Sequence, residues 1–421
     1  MALKERKLRR LILAALLLAL LSLPLFWSSW LVHQLGGAFD YAPGEMAEGL
    51  SPQARDLIQQ AYRGLRPGLL FDYHLHVVGL GTGGSGIEVN PEMRSWRHLF
   101  KRIQFDIYRS AAGIQNLERA DQEYAQRLVA LVRGFPAPGR HLLLAFDRHY
   151  NPDGTPNPEK TEFYVPNQYV FDLAARWPDL FKPGISIHPY RPDAVQALEK
   201  WALQGGRIVK WLPNAMGIDP ADPKCDPFYA RMAQLGLVLL SHAGEEKAVE
   251  SEEDQELGNP LRLRRPLDQG VRVIMAHCAS LGENLDLDHP GRPPVPSFDL
   301  FLRLMEEERY QGLLFGEISA LTQTNRMGRP LRTLLQRSDL HPRLVHGSDY
   351  PLPAINLLIS TRRLQSQGYL SAEERSGLNE VYQYNPLLFD LVLKRLLKHP
   401  ESGQSFPASV FQAHPELQPW Q

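Results

Sequence analysis

Residues 69–78 read LLFDYHLHVV. The run is mostly apolar, and its length suits one buried strand. His74 and His76 stand two apart, so a strand places both imidazoles on one face. Seven further β-rich runs follow: 141–147 (HLLLAFD), 183–188 (PGISIH), 207–212 (RIVKWL), 237–242 (LVLLSH), 271–277 (VRVIMAH), 313–319 (LLFGEIS) and 343–349 (RLVHGSD). The last five begin 30 to 42 residues apart, which leaves room for one strand, one helix and two loops each. This alternation predicts an α/β fold, a closed (β/α)8 TIM barrel rather than a six-stranded open sheet.

Between the strands, 193–203 (DAVQALEKWAL) and 226–235 (DPFYARMAQL) carry helical periodicity, the second ending against Gly236 as a C-cap. The first connection, 79–139, is the outlier. It holds a glycine-rich loop (GLGTGGSG) and a polar helical stretch over 94–133, an expected insertion over the barrel mouth. The loop lacks the lysine of a P-loop and the context of a dinucleotide fingerprint. Beyond the eighth strand, 354–366 and 373–397 read as helices, and the tail from 400 reads as poorly structured.

Lysine plus arginine number 46 against 47 aspartate plus glutamate, so no basic field draws the chain to nucleic acid. The two cysteines, Cys225 and Cys278, are too few for a disulfide framework or a cysteine zinc site, which leaves histidine and carboxylate to hold any metal. Residues 11–32 run 22 positions without a charge, after Lys4, Arg6, Lys7, Arg9 and Arg10. They predict a single N-terminal transmembrane helix, retained rather than cleaved, in an inner or plasma membrane. The N-terminus would be cytoplasmic and the catalytic domain periplasmic or extracellular. The expected organisation is therefore a cytoplasmic basic segment (1–10), a transmembrane anchor (11–32), a linker and lead-in (33–68), a barrel with C-terminal helices (69–398) and a tail (399–421).

Histidine carries the chemical signal. His242 closes 237–242, His277 closes 271–277 and Asp349 closes 343–349, and barrel strands converge at their carboxyl ends. Burying such groups unpaired would cost several kcal/mol. Together with His74 and His76 they form an expected metal site. Lys210, inside 207–212, reads either as a cation for substrate or a salt bridge, or as a lysine carboxylated by carbon dioxide. His188, Glu245, Glu246 and Glu317 are weaker candidates for contacts to substrate or to the ligand imidazoles. Cys278 reads as packing.

The order of these residues, His-x-His on strand one, lysine on strand four, histidines on strands five and six and aspartate on strand eight, resembles the amidohydrolase superfamily of metal-dependent barrel hydrolases. The runs SHAGEE, AHC, GEISA and HGSDYP are similar to its amidohydrolase 2 branch, over about 69–389. The resemblance implies that His74, His76 and Asp349 bind a buried metal and that Asp349 takes a proton from the attacking water. Carboxylated Lys210 would then bridge to a second metal held by His242 and His277. A one-metal pattern would instead use His74, His76, His242 and Asp349 and leave His277 to polarise substrate or move protons. Zinc, as one or two ions, is the expected divalent metal. The expected function is hydrolysis of an amide, ester or related bond in a small molecule. The rivals are a metal-dependent decarboxylase of the same branch and a binding protein that kept the barrel without the chemistry.

Overall fold

The computed structural model describes residues 30–37, 41–249 and 251–417. Eight parallel strands follow one another around a barrel: β1 (Phe71–His76), β2 (Arg140–Leu144), β3 (Phe181–Pro183), β4 (Ile208–Trp211), β5 (Val238–Ser241), β6 (Arg272–Met275), β7 (Leu314–Glu317) and β8 (Leu344–Val345). A parallel bridge between Ile185 and Val209 joins β3 to β4. The barrel closes where Tyr73 N donates to His346 O (2.9 Å), Asp349 N to His74 O (2.7 Å) and His76 N to Tyr350 O (3.0 Å). Seven of the eight predicted runs hold a strand shorter than the run, because their last residues leave the ladder and enter the loops above it; the third strand lies earlier than predicted and shares only Pro183 with 183–188.

Alternation sorts the strand residues. Phe71, Tyr73, Ile208, Leu240, Ile274, Phe315 and Val345 pack together inside the barrel, while their neighbours meet the helices outside. On β1, strict alternation from Phe71 and Tyr73 would send His74 and His76 outward. The pairing of β1 with β2 slips between Asp72 and Leu75, and this irregularity reverses the parity. Both imidazoles consequently line the cavity above the barrel.

The linker holds a helix that the sequence reading did not predict, α1 (Pro52–Tyr62), capped by Ser51, whose hydroxyl accepts from Ala54 N at 3.1 Å. The predicted helical stretch 94–133 is two helices, α2 (Leu99–Ala111) and α3 (Ala120–Arg133), parted by a turn at Gly113 with φ +73°. The predicted helix 373–397 divides likewise into α4 (Ala372–Tyr384) and α5 (Pro386–Leu396). Proline has no N–H to continue α4, and Asn385 caps α5 by accepting from Leu388 N. Of 354–366, only Thr361–Ser366 is α-helical. The tail is packed rather than loose: His346 N donates to Val410 O, Ala413 N to Leu69 O, and Leu417 is buried in the barrel core.

The expected membrane localisation requires correction. Among the described residues no helix is long and apolar enough to cross a membrane. Most of the predicted anchor at 11–32, with the basic segment before it, lies outside the described residues; 30–35 are helical. A run of apolar residues satisfies a hydropathy criterion without fixing a spanning helix.

Behind β8, α5 carries a buried ion pair. Lys394 Nζ donates to Asp390 Oδ2 (2.6 Å) and to Gly347 O (2.7 Å), two residues before Asp349. Burial pushes the Asp390 carboxyl up to about 7 against the pull of Lys394. Lys394→Met would leave Asp390 and the Gly347 carbonyl without their cationic donor, and should lower the unfolding free energy by about 3 kcal/mol. Chemical denaturation of parent and variant checks this. Pairing it with Asp390→Leu, which removes the stranded carboxyl, should recover much of the loss.

Candidate functional site

Glu317, at the end of β7, lies beneath the site. Its carboxylate stands 3.0 Å from His74 Nδ1 and accepts from Ser319 Oγ at 2.7 Å. Facing a carboxylate, Nδ1 of His74 carries the proton and Nε2 is left with a lone pair. The hydroxyl proton of Ser319 is committed to Glu317, so the same oxygen accepts from His277 Nδ1 at 2.7 Å and His277 Nε2 is likewise a lone pair. Glu246 Oε2 lies 3.3 Å from His242 Nδ1 and does the same for the third ring. Three imidazoles thus turn acceptor nitrogens toward the cavity, each with its tautomer set by a partner on Nδ1.

These nitrogens meet further acceptors and one donor, the Lys210 ammonium. His74 Nε2 lies 3.2 Å from His76 Nε2. Asp349 Oδ1 lies 3.1 Å from His76 Nε2 and 3.5 Å from His74 Nε2. Lys210 Nζ approaches His74 Nε2 at 3.1 Å. The His277 ring packs against those of His74 (5.1 Å between centroids) and His242 (5.2 Å). Among the described residues, His242 Nε2 is buried without a hydrogen-bond partner. Converging lone pairs and a carboxylate repel one another unless a cation lies between them, and this donor set fits a divalent metal. His74, His76 and Asp349 form one group able to hold an ion. His74, His277 and Glu317 form another, but Glu317 already serves His74 and Ser319, so it orients ligands rather than offering a free oxygen.

Burial holds His74 far below the usual imidazole range, with help from the Lys210 charge, and does the same to His242 and His277 with help from Arg326. The neutral form favoured in this way is the one that binds metal. Burial also pushes the Lys210 ammonium down to about 8, against the attraction of Asp349. Glu317 is pushed up to about 7 by burial, with Ser319 opposing. Four residues around the site adopt left-handed backbone: His277 (φ 56°), Cys278 (49°), Ala279 (49°) and Asp349 (58°). Such conformations cost non-glycine residues roughly 1–2 kcal/mol each and persist where surrounding contacts enforce them. They re-aim side chains that strand alternation alone would misplace.

The structure therefore brings together all six residues predicted for the metal, His74, His76, Lys210, His242, His277 and Asp349, along one cavity of about 490 Å³. Glu317 and Glu246 meet ligand imidazoles, as the sequence suggested. Glu245 instead faces Lys247 on the surface. His188 is a structural residue, its Nε2 bonded to Met216 O at 2.8 Å. Cys278 is buried and packs, although through the left-handed turn rather than by strand alternation. The sequence reading missed Ser319, visible only as a hydroxyl two residues past Glu317, and Arg326, which lies in a loop with no motif.

Residues 71–355 match the family model described as amidohydrolase. The chain belongs to this family, which is metal-dependent and whose members are mostly enzymes. No curated protein sequence matches the chain. Among solved structures, it is similar to an uncharacterised TIM-barrel protein of Bordetella bronchiseptica, at 16% identity over 68% of this chain and 88% of that one, with a TM-score of 0.44. It is also similar to 5-carboxyvanillate decarboxylase of Sphingomonas paucimobilis, at 13% identity over 69% and 92% of the two chains, TM-score 0.41. A third is 4-oxalomesaconate hydratase of Rhodopseudomonas palustris, at 14% identity over 73% and 92%, TM-score 0.39.

His76→Ala should reduce bound metal, measured by elemental analysis after dialysis, to a small fraction of the parent level. Glu317→Gln keeps the His74 ligand but weakens its orientation, and should lower metal affinity by about 10- to 100-fold. Unchanged metal content in His74→Ala and His76→Ala would place the ion elsewhere.

Proposed function

We propose that this protein is a metal-dependent hydrolase that cleaves an amide, ester or related bond of a small molecule, with zinc as the expected ion. The convergence of His74 Nε2, His76 Nε2 and Asp349 Oδ1 within 3.1–3.5 Å at the floor of the cavity carries this reading. A divalent ion held there would supply Lewis acidity at a carbonyl oxygen and lower the pKa of water toward ~7. Asp349 is placed to accept the proton of the attacking water, with its carboxylate fixed by the left-handed turn and by its own N–H on His74 O. His277, neutral and with a free lone pair at Nε2, is placed to relay that proton toward the leaving group. His242 supports a second ion or, in a one-ion site, completes the first. Lys210, with its ammonium held at about 8, has an accessible neutral amine, the form that adds carbon dioxide to give a carbamate and release a proton.

One observation favours a second reading. Lys210 Nζ sits within hydrogen-bonding distance of His74 Nε2, as a free ammonium would. A free Lys210 suits a single ion, and with it a decarboxylase in which no water attacks.

Asp349→Asn keeps the size of the side chain and one oxygen but cannot accept a proton. Hydrolysis should fall by about 10²- to 10⁴-fold while metal is retained. Steady-state rates on amide, ester and lactone substrates, with metal content measured in parallel, test this. Carbon dioxide release from aromatic acids by the parent without any hydrolysis would replace the hydrolase with the decarboxylase. Near-parental hydrolysis by Asp349→Asn would assign the proton to another group, His277 first.

A further inference from the structure

We propose that the substrate is an amphiphile, an acyl or aryl compound whose extended apolar body lies along α2 and whose carboxylate pairs with Arg326. The inference deepens the hydrolase reading and rests on it only for which end of the ligand faces Asp349.

The cavity, at about 490 Å³, is large enough for a ligand well beyond a small polar acid. Its floor is polar, and much of its wall is apolar, although Arg109, Glu162 and Lys247 line it as well. Phe100, Ile103 and Ile107 of α2 face the same space as Met93, Leu352 and Ile355. The apolar surface does not stop at the mouth: Phe100 is 88% exposed and Leu357 60% exposed, both on the rim. Large apolar side chains gathered on one exposed rim mark a ligand-binding surface. A chain too long for the cavity would keep apolar contact as it leaves. One side of the wall is contributed by the long insertion between β1 and β2, which the barrel itself does not require, and the other by the stretch after β8.

Arg326 supplies the second half of the argument. Its side chain is 7% exposed and lines the same cavity near His242 and His277, whose protonation it opposes. Among the described residues its guanidinium has one hydrogen bond, from Nη1 to Ser280 Oγ at 3.3 Å, while Nε has no partner. A buried guanidinium with unused donors is costly, and its planar fork matches a carboxylate. The polar end of the ligand would thus sit beside the metal-binding imidazoles, with the apolar end running out past α2.

Calorimetric titration of the metal-replete protein with saturated fatty acids from hexanoate to dodecanoate tests the body of the ligand. Affinity should rise about three- to fourfold per added methylene, as transfer of apolar surface from water predicts. Dodecanol and dodecylammonium test the head, and both should bind at least about tenfold more weakly than dodecanoate. Arg326→Gln should abolish the preference for dodecanoate over dodecanol, and Arg326→Lys should restore part of it. Ile103→Asp with Ile107→Asp should flatten the dependence on chain length. A flat chain-length series in the parent, equal binding of dodecanol and dodecanoate, or a preference that survives Arg326→Gln, as it would if the metal took the carboxylate, would each overturn the inference. If Arg326→Gln does not fold, the three head groups on the metal-depleted parent decide it: a preference for dodecanoate that persists without metal supports the inference, and one that disappears with the metal overturns it. Binding that follows these rules in a protein with no hydrolase activity would overturn the hydrolase reading alone, and an active hydrolase indifferent to chain length would overturn this inference alone.

Discussion

The seam between β8 and β1 governs the site. Asp349 N donates to His74 O at 2.7 Å, so the backbone bond that closes the barrel also fixes the spacing between the proposed base and the first imidazole. Tyr73 and His76 make the adjoining bonds to His346 and Tyr350. Because the three bonds span the residues that carry the chemistry, barrel closure and site assembly are one event. A shift of the seam by one residue would turn Asp349 or both histidines away from the cavity.

Charges beneath the seam hold it in place. Asp72 accepts from His74 N and Ser348 N, both at 2.9 Å, tying the two strands from below. Burial pushes this carboxyl up, but its bond to His141 and the nearby His346 outweigh that and hold it down at about 2. Lys394 reaches the Gly347 carbonyl from the far side of β8. Glu317 links His74 to His277 through Ser319. None of these groups faces the cavity mouth. They set ring tautomers and backbone positions, so that lone pairs rather than N–H groups point into the cavity.

Strand ends build the polar floor of the site, while its walls come from the connections. The insertion after β1 contributes α2, and the stretch after β8 contributes Leu352 and Ile355 opposite it. Barrels of this kind separate the two tasks, with strand ends holding the reacting groups and loops shaping what can reach them. An apolar wall beside a buried guanidinium is a loop property laid over a floor of strand ends.

The strand order and the chemical identities of His74, His76, Lys210, His242, His277 and Asp349 were legible in the sequence, because apolar runs ending in a polar residue have few explanations in a parallel sheet. Element boundaries were less so. The break of α4 from α5 depends on Asn385 and Pro386, and the packing of the tail depends on backbone bonds to Leu69 and His346 that no local pattern encodes. The shared face of His74 and His76 was inferred from a spacing of two, but the sequence could not say which face was inside; the slip between Asp72 and Leu75 decided it. His277 reached the site through a left-handed turn of ordinary residues, which sequence alone would not predict. The helical insertion over the mouth was expected, but Arg326 and the apolar face of α2 were not, for a simpler reason: residues far apart in the chain acquire a shared cavity only when the barrel closes. The sequence by itself determined which side chains could do chemistry, since residue types set their acid–base and ligand properties. Tertiary structure alone decided which of them meet, which tautomers they hold and what surrounds them, because those follow from long-range contacts.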